Sequence, residues 1–295
     1  MQKTQTTGKG ALLIALGGIA WSFSGVLSKW TPWGPLSIIG GRALLATFAF
    51  AVIRKGFKLK LSPGNLLGAL GVLLSSLLFI IANKLTTAAN AIVLQYAMPV
   101  VVILGCWVFF KQKPTGLDLV ATAVTLSGVA LCFYSGFRGG NPLGDLLAFI
   151  SAFSFAMVFF AARIKNTDPL AYSYLGNLVS CVFLLAIPFD PGFVLSARAL
   201  FAVVMMGIAL TGGYLFFSRG MQAGVSPVTA AIVANVEPVL NPIWVFLVMG
   251  EVPGIFTFLG AALVLCSVTG YSLIKARREA RSRPKRTPTL RVKQG

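Results

Sequence analysis

Apolar residues run in long stretches along this chain, and polar residues collect in short breaks between them. Each of ten stretches is close to the roughly 20 residues that a helix needs to cross a bilayer. Many of the breaks contain glycine or proline, as at Ser62-Pro63-Gly64, which favours turns. The pattern predicts ten transmembrane helices, at 10–29, 34–54, 64–83, 87–109, 116–135, 142–162, 169–188, 197–219, 225–249 and 253–274.

Composition supports an integral membrane protein. Hydrophobic residues make up 57% of the 295 residues and charged residues 11%, whereas soluble domains average about 25% charged residues. The net charge of +18 does not indicate nucleic-acid binding, because the short connections leave no room for a soluble basic domain. The lipid bilayer is therefore the expected surroundings of nearly the whole chain.

The placement of Lys and Arg predicts the orientation. With the N-terminus in the cytoplasm, the inside loops carry eleven basic residues and the outside loops four, leaving aside nine in the C-terminal tail. This is the bias of the positive-inside rule. The fold class predicted is an all-α integral membrane protein with both termini cytoplasmic. The basic tail, residues 275–295, either contacts anionic lipid or only fixes the topology.

The residues of catalysis and metal binding are scarce. The chain has no histidine, and its four cysteines lie singly in apolar stretches, where they read as small packing residues. An intramembrane enzyme would need paired catalytic groups, and the spans offer one lone Glu. We therefore expect no catalytic residue, no metal site and no cofactor.

The sequence repeats itself at an offset of 139 residues. Pro99 then falls on Pro238 and Pro114 on Pro253, without a gap from the third span through the fifth. The predicted units are residues 1–137 and 138–274, with five helices each. Because five is odd, the second unit must cross the membrane upside down relative to the first. Inverted repeats of this kind are typical of transporters with a midplane site.

Particular motifs resemble the EamA-type members of the drug/metabolite transporter superfamily. Those motifs are Glu237-Pro238, Gly250-Glu251 and the Gly-containing run Leu259–Ala262 in the second unit, with Ala20–Ser22 and Arg42 in the first. The chain departs from the pattern at one place, since Met98 stands in the first unit where the second has Glu237.

The resemblance covers nearly the whole chain and extends, by general likeness, to the YddG-type exporters of aromatic amino acids. It implies a multi-pass inner-membrane carrier of small molecules that works by alternating access. We expect a monomer.

A midplane cavity is predicted from helix depth. Glu237 lies 11 residues beyond Ser226, which a rise of about 1.5 Å per residue places about 16 Å into the hydrocarbon layer. Other polar and aromatic residues lie at similar depth, with Ser24 and Phe155 among them. The predicted substrate-binding residues are Trp21, Ser22, Asn83, Gln95, Tyr96, Phe153, Ser154, Tyr214, Asn235 and Trp244.

Two charges lie within the spans, and charges there are functional candidates. Arg42 either draws a substrate carboxylate or caps the outer gate, or else it snorkels outward or pairs structurally with backbone carbonyls. Glu237 either couples transport to protons, binds an ammonium group, or is a structural acid. Pro99, Pro238 and Pro242 each free a backbone carbonyl and predict bends.

The function expected is export of amphipathic metabolites, aromatic amino acids above all. An organic-cation efflux carrier is the first alternative, because aromatic faces attract cations. A carrier of phosphorylated sugars or nucleotide sugars would need several cavity cations, and the spans offer Arg42 alone. A channel or a structural scaffold is a further alternative that the repeat with its central prolines does not favour.

Overall fold

The chain folds into helices joined by short connections. The computed structural model describes residues 2–111, 113, 115–139, 141–252 and 254–281, and no strand occurs among them. The α-helices are α1 Gln2–Trp21, α2 Phe23–Trp30, α3 Pro35–Ile53, α4 Pro63–Leu85, α5 Ala88–Gln95, α6 Met98–Phe110, α7 Gly116–Gly139, α8 Pro142–Ala161, α9 Pro169–Ser180, α10 Ala197–Gln222, α11 Pro227–Val233, α12 Val236–Met249 and α13 Ile255–Arg281. A 3₁₀ helix, Cys181–Phe189, continues α9.

The described elements lie at the ten predicted spans and confirm an all-α integral membrane fold, while the cytoplasmic location of both termini stays a prediction. Within the described residues, eight helical segments are long and apolar enough to cross a membrane, and shorter apolar stretches occur at Gly116–Gly128 and Ile255–Tyr271. Hydrophobic side chains on the outside, such as Phe48, Val108 and Leu247, are about two-thirds exposed. A bilayer would cover them.

The two ends of the chain differ from the predicted bounds. Helix α1 begins at Gln2 instead of residue 10, and α13 continues to Arg281 instead of ending at 274. Strong helix formers such as Ala276 and Glu279 allow the last helix to continue into water. The rest of the basic tail lies outside the described residues, as do Pro114 and Pro253 of the predicted repeat.

Four of the spans are interrupted. The first breaks at Ser22, between α1 and α2, and the seventh changes from α to 3₁₀ geometry at Cys181. The fourth breaks at Tyr96-Ala97 and the ninth at Ala234-Asn235. Each of these last two breaks lies just before a proline, Pro99 or Pro238, whose ring cannot donate the next helical hydrogen bond. The repeated prolines thus produce matching breaks in the two repeats.

The packing of the helices follows the repeat. We call α1–α7 the first repeat and α8–α13 the second. Helix α4, the third span, packs against α8, the sixth, and the equivalent pair under the repeat, α10 with α1, also packs together. The fifth and tenth spans, α7 and α13, pack against each other. The contacts between the repeats therefore obey an approximate two-fold symmetry.

Glycine permits the closest of these contacts. A Cβ atom on Gly128 in α7 would lie 2.6 Å from the carbonyl oxygen of Gly260 in α13. A side chain at Gly128 would force the helices apart, which is why small residues are favoured where membrane helices meet.

Candidate functional site

A cavity lies between the two repeats, beside the breaks in the fourth and ninth spans. Water-sized molecules have about 40 Å³ of space in it, within about 370 Å³ of atom-free space that includes the open mouth. Residues from both repeats line it: Trp21, Ser24, Arg42, Ser75, Ser76, Phe79, Gln95, Phe155, Leu210, Tyr214 and Glu237. Five of the predicted site residues, Trp21, Arg42, Gln95, Tyr214 and Glu237, thus meet in one space.

Tyr96 connects the two breaks. Since Pro238 has no N–H, the carbonyl of Ala234 loses its usual helical partner four residues on. The Tyr96 hydroxyl lies 3.0 Å from this carbonyl oxygen and 2.5 Å from Oε2 of Glu237. The Ala234 carbonyl accepts the Glu237 N–H at 3.0 Å instead, and the fourth span adds the Tyr96 hydroxyl as a further donor at this point.

Hydrogen count restricts how these three groups bond. A phenol carries one hydrogen, so Tyr96 donates either to the Ala234 carbonyl or to the Glu237 carboxylate. If it donates to Ala234, the short contact with Glu237 requires a protonated carboxyl that donates to the Tyr96 oxygen. Gain or loss of a proton at Glu237, which is 4% exposed, would then change a bond between the repeats.

Aromatic side chains form one wall of the cavity. The Trp21 ring meets Tyr214 at 5.0 Å and Phe155 at 5.6 Å between centroids, in edge-to-face arrangements. Phe155 in turn lies 6.4 Å from Tyr96. Such pairs are favourable beyond their buried area, so they hold one another in place. The wall is preorganised for an apolar or aromatic group.

Arg42 brings a positive charge to the same space. It is 3% exposed and belongs to α3, which is otherwise apolar around it. Tyr214 lines the same cavity and interacts electrostatically with Arg42, and its hydroxyl also interacts with Ser75. The ion pairs found in the described residues, Lys29–Glu251 and Lys60–Asp168, do not involve it.

Sequence reasoning missed Ser75, Ser76, Phe79 and Leu210. All four lie within long apolar stretches, where a serine commonly bonds to its own helix, and Ser75 does donate to the Val72 carbonyl at 3.3 Å. The adjacent serines Ser75-Ser76 in the middle of an apolar span were the one available signal. Phe79 and Leu210 carry no signal that distinguishes them from lipid-facing residues.

Three predicted residues tie helices together beside the cavity instead of lining it. Ser22 donates to the Ile19 carbonyl at 2.6 Å and accepts the Trp244 indole N–H at 2.9 Å. Asn83 donates to the Gly25 carbonyl at 3.1 Å, which joins α4 to α2. Trp244 stacks on Phe23 at 5.0 Å between ring centroids.

The remaining predicted residues are also away from the lining. Phe153 is 49% exposed on the outer side of α8. Ser154 is buried, and its carbonyl lies close to Gly71 of α4. Asn235 donates back to the Ala231 carbonyl at 2.8 Å, which caps the end of α11. Pro242 lies inside α12 without a break there.

Polar contacts join the repeats at the predicted outer end. Glu251 of the second repeat pairs with Lys29 at 3.2 Å and accepts the Ala88 N–H at 2.9 Å. Asp145, fully buried, accepts hydrogen bonds from Thr86 and Asn90, each at 2.7 Å. These contacts are largely shielded from water.

The contacts at the opposite end are more exposed. Lys60 meets Asp168 at 3.3 Å, with the lysine side chain 64% exposed against 20% for Lys29. The Asp168 N–H also donates to the Asn65 side chain at 2.9 Å. Exposed ion pairs contribute about 0–1 kcal/mol, so this end is held less firmly by charge.

Comparison with known proteins agrees with this architecture. The sequence profile of the EamA-like transporter family matches residues 8–134 and 142–273, one match for each repeat. An uncharacterized inner membrane transporter, YicL, of Salmonella typhimurium is 26% identical and covers 94% of this chain and 99% of its own. An uncharacterized transporter of Clostridium kluyveri is also 26% identical, over 73% of this chain and 75% of its own.

A solved structure shares the fold. It superposes with a TM-score of 0.61 at 19% identity and covers 94% of this chain and 98% of its own. The predicted resemblance to EamA-type transporters is confirmed, and so is a multi-pass protein of the inner membrane. The chain belongs to the EamA-like transporter family.

Proposed function

We propose that this transporter exports amphipathic metabolites, aromatic amino acids and related compounds above all, by alternating access around the cavity. The observation that carries the proposal is the cavity's composition. The Trp21, Phe155 and Tyr214 rings share one space with Arg42 and Glu237. Apolar walls with a few convergent polar groups are the usual form of a site for an organic solute.

Alternating access is supported by the position of the cavity. It lies between two repeats that touch through polar contacts at both ends, Lys29–Glu251 at one and Lys60–Asp168 at the other. Breaking one set while the other holds would open the cavity to one side at a time. The breaks beside Pro99 and Pro238 give the fourth and ninth spans places to bend.

An organic-cation carrier is the alternative with an observation in its favour. Glu237 is the carboxylate that lines the cavity, and aromatic faces attract cations. Carriers of phosphorylated sugars fit less well, because Arg42 is the one cation in the lining.

Transport in proteoliposomes tests the proposal. Labelled phenylalanine, tryptophan, threonine, an organic cation and a phosphorylated sugar are compared, with protein-free vesicles as the blank. We expect phenylalanine and tryptophan to move faster than the others. Movement of the organic cation alone, or of the phosphorylated sugar alone, would contradict the proposal.

A matched pair of variants links transport to the cavity. Trp21, 5% exposed, lines the cavity, whereas Trp107 is 46% exposed on the outside of α6. Trp21→Ala should lower phenylalanine transport by tenfold or more, which corresponds to roughly 1.4 kcal/mol. Trp107→Ala should leave it unchanged. Equal effects of the two substitutions would show that transport does not depend on this cavity.

A further inference from the structure

Arg42 is a buried cation without a counter-ion among the described residues. Its side chain lines the cavity and is 3% exposed, and no described group accepts a hydrogen bond from its guanidinium or pairs with its charge. Charged groups inside a membrane protein are costly and are normally paired. The missing partner of Arg42 is therefore expected to be a molecule that enters the cavity.

Glu237 does not supply that partner. Although it lines the same cavity, its carboxyl lies against the Tyr96 hydroxyl at 2.5 Å and forms no ion pair with Arg42. A solute with both an acidic and a basic group could meet each charge separately.

A second donor among the lining residues also lacks a partner. The indole N–H of Trp21 is buried, and no described residue accepts its hydrogen bond. Trp21 packs against Tyr214, which is the polar neighbour of Arg42. The indole nitrogen faces Gly213 of α10, so among these two donors it is Arg42 that a solute in the cavity can reach.

The chemistry of arginine selects the acceptor. A guanidinium presents paired N–H groups that match the two oxygens of a carboxylate. A phosphate ester carries up to two charges and is usually met by several cations, of which this cavity has one.

From these observations we propose that Arg42 binds the carboxylate of the transported solute and so selects carboxylates over amines of the same size. This rests on the proposed function for the identity of the solute, but the binding of a carboxylate at Arg42 does not require that the solute be an amino acid.

Three ligands that share a phenyl ring but differ in their charged groups show which group Arg42 binds. Phenylalanine carries both charged groups, 3-phenylpropionate the carboxylate only, and phenethylamine the ammonium only. Binding to the purified protein is measured for wild type, Arg42→Gln and Arg42→Lys. Arg198→Gln is the matched control, since Arg198 is an exposed arginine that stacks on Trp30 at 5.0 Å, away from the cavity.

We expect Arg42→Gln to weaken the binding of phenylalanine and 3-phenylpropionate by tenfold or more and to leave the binding of phenethylamine unchanged. Arg42→Lys keeps the charge without the paired donors and should lie between. Arg198→Gln should match wild type. Unchanged carboxylate binding in Arg42→Gln, or an equal loss for all three ligands, would overturn the inference.

A measurement on the wild-type protein covers the case in which the variants fail to fold. Phenylglyoxal modifies arginine, and mass spectrometry of the peptides reports the rate at Arg42. 3-Phenylpropionate should slow this reaction and phenethylamine should not; equal rates with both ligands would overturn the inference.

The outcomes distinguish the inference from the proposed function. If phenylalanine is transported while Arg42→Gln keeps its preference for carboxylates, the inference fails and the function stands. If no aromatic amino acid is transported but 3-phenylpropionate binds through Arg42, the aromatic-amino-acid proposal fails and the carboxylate site stands. If none of the three ligands binds or protects Arg42 from phenylglyoxal, both the inference and the proposed function are overturned.

Discussion

The Tyr96 hydroxyl lies 2.5 Å from the Glu237 carboxylate, and this bond joins the break in one repeat to the break in the other. The repeats differ at this point, because Met98 occupies the position in the first that Glu237 occupies in the second. The bond therefore belongs to the asymmetric part of a nearly symmetric molecule.

The pair should stabilise the fold measurably. Tyr96→Phe removes the hydroxyl and keeps the ring, so we expect a loss of about 1 kcal/mol, in the range measured for hydrogen bonds in membrane proteins. Glu237→Met, which removes the acceptor, should cost less in the Tyr96→Phe background than in wild type, because the shared bond is already gone. Thermal unfolding in detergent of the four proteins gives the coupling energy, and strictly additive losses would contradict a bond between the two side chains.

Proton coupling through Glu237 is the second expectation. A carboxyl that exchanges a proton beside Tyr96 would respond to a pH gradient, whereas Gln cannot. We expect a gradient to accelerate wild-type transport and to have no effect on Glu237→Gln. Phenylalanine flux in vesicles with and without the gradient is the measurement. Equal gradient responses in both proteins would exclude Glu237 as the coupling group.

The Lys29–Glu251 pair should help to hold the predicted outer end closed. Lys29→Glu places like charges together, and the paired reversal with Glu251→Lys should recover part of the loss. With side chains about one-fifth exposed, the pair is expected to contribute up to about 1 kcal/mol. Unfolding midpoints and transport rates of these variants are compared with those of Lys60→Glu. This control should differ little from wild type, because the Lys60–Asp168 pair is exposed. No recovery in the double reversal would argue against the pair.

Two neighbouring glycines in α10 should respond differently to alanine. A Cβ on Gly213 would overlap the Trp21 indole, whereas the nearest atom to a Cβ on Gly212 is Ala20 Cβ at 4.0 Å. We expect Gly213→Ala to cost about 1–3 kcal/mol and to disturb the cavity wall. Gly212→Ala should be neutral or stabilising by about 0.4–1 kcal/mol. Unfolding midpoints and phenylalanine transport distinguish them, and equal behaviour would contradict the close contact.

Asp190 should make stability depend on pH at the acidic end. Partial burial opposes its ionisation, but the Ser37 hydroxyl, the N–H groups of Gly34 and Gly192 and the Lys84 charge together hold its pKa below the ordinary value. A lowered pKa means that this stabilisation is present above the unfolded value of about 3.9 and is lost as pH falls below it. Because solvent screens this group, we expect the Asp190 charge to contribute less than about 1 kcal/mol to the free energy of unfolding.

The comparison of wild type with Asp190→Asn tests this effect. The variant should have the lower unfolding midpoint at pH 7, and the difference should shrink as pH falls toward 3. A difference that stays constant over this range would show that the Asp190 charge is not the cause.

The spans and the breaks beside Pro99 and Pro238 could be predicted from the sequence because their causes are local. The interruptions at Ser22 and Cys181 were not predicted, and Pro242 produces no break. An apolar stretch of sufficient length forms a membrane helix wherever it occurs in the chain. Pro99 and Pro238 interrupt their helices through their own missing N–H groups, whatever surrounds them. The motifs around Glu237 and Gly250 also sufficed to recognise the family.

The cavity-facing side of each helix was decided by tertiary structure alone. Phe153 and Phe155 differ by two positions, about 200° around a helix, so one faces outward and the other the cavity. Around such a span the residues are apolar on every side, because lipid and protein interior accept the same side chains, and the sequence carries no amphipathic stripe to orient it. The same absence hid Ser75 and Ser76. The sequence by itself therefore predicted ten apolar spans, with the matched prolines Pro99 and Pro238 inside the fourth and the ninth. Only packing between the repeats decided that Tyr96 reaches Glu237 and that Arg42 faces the cavity without a partner among the described residues.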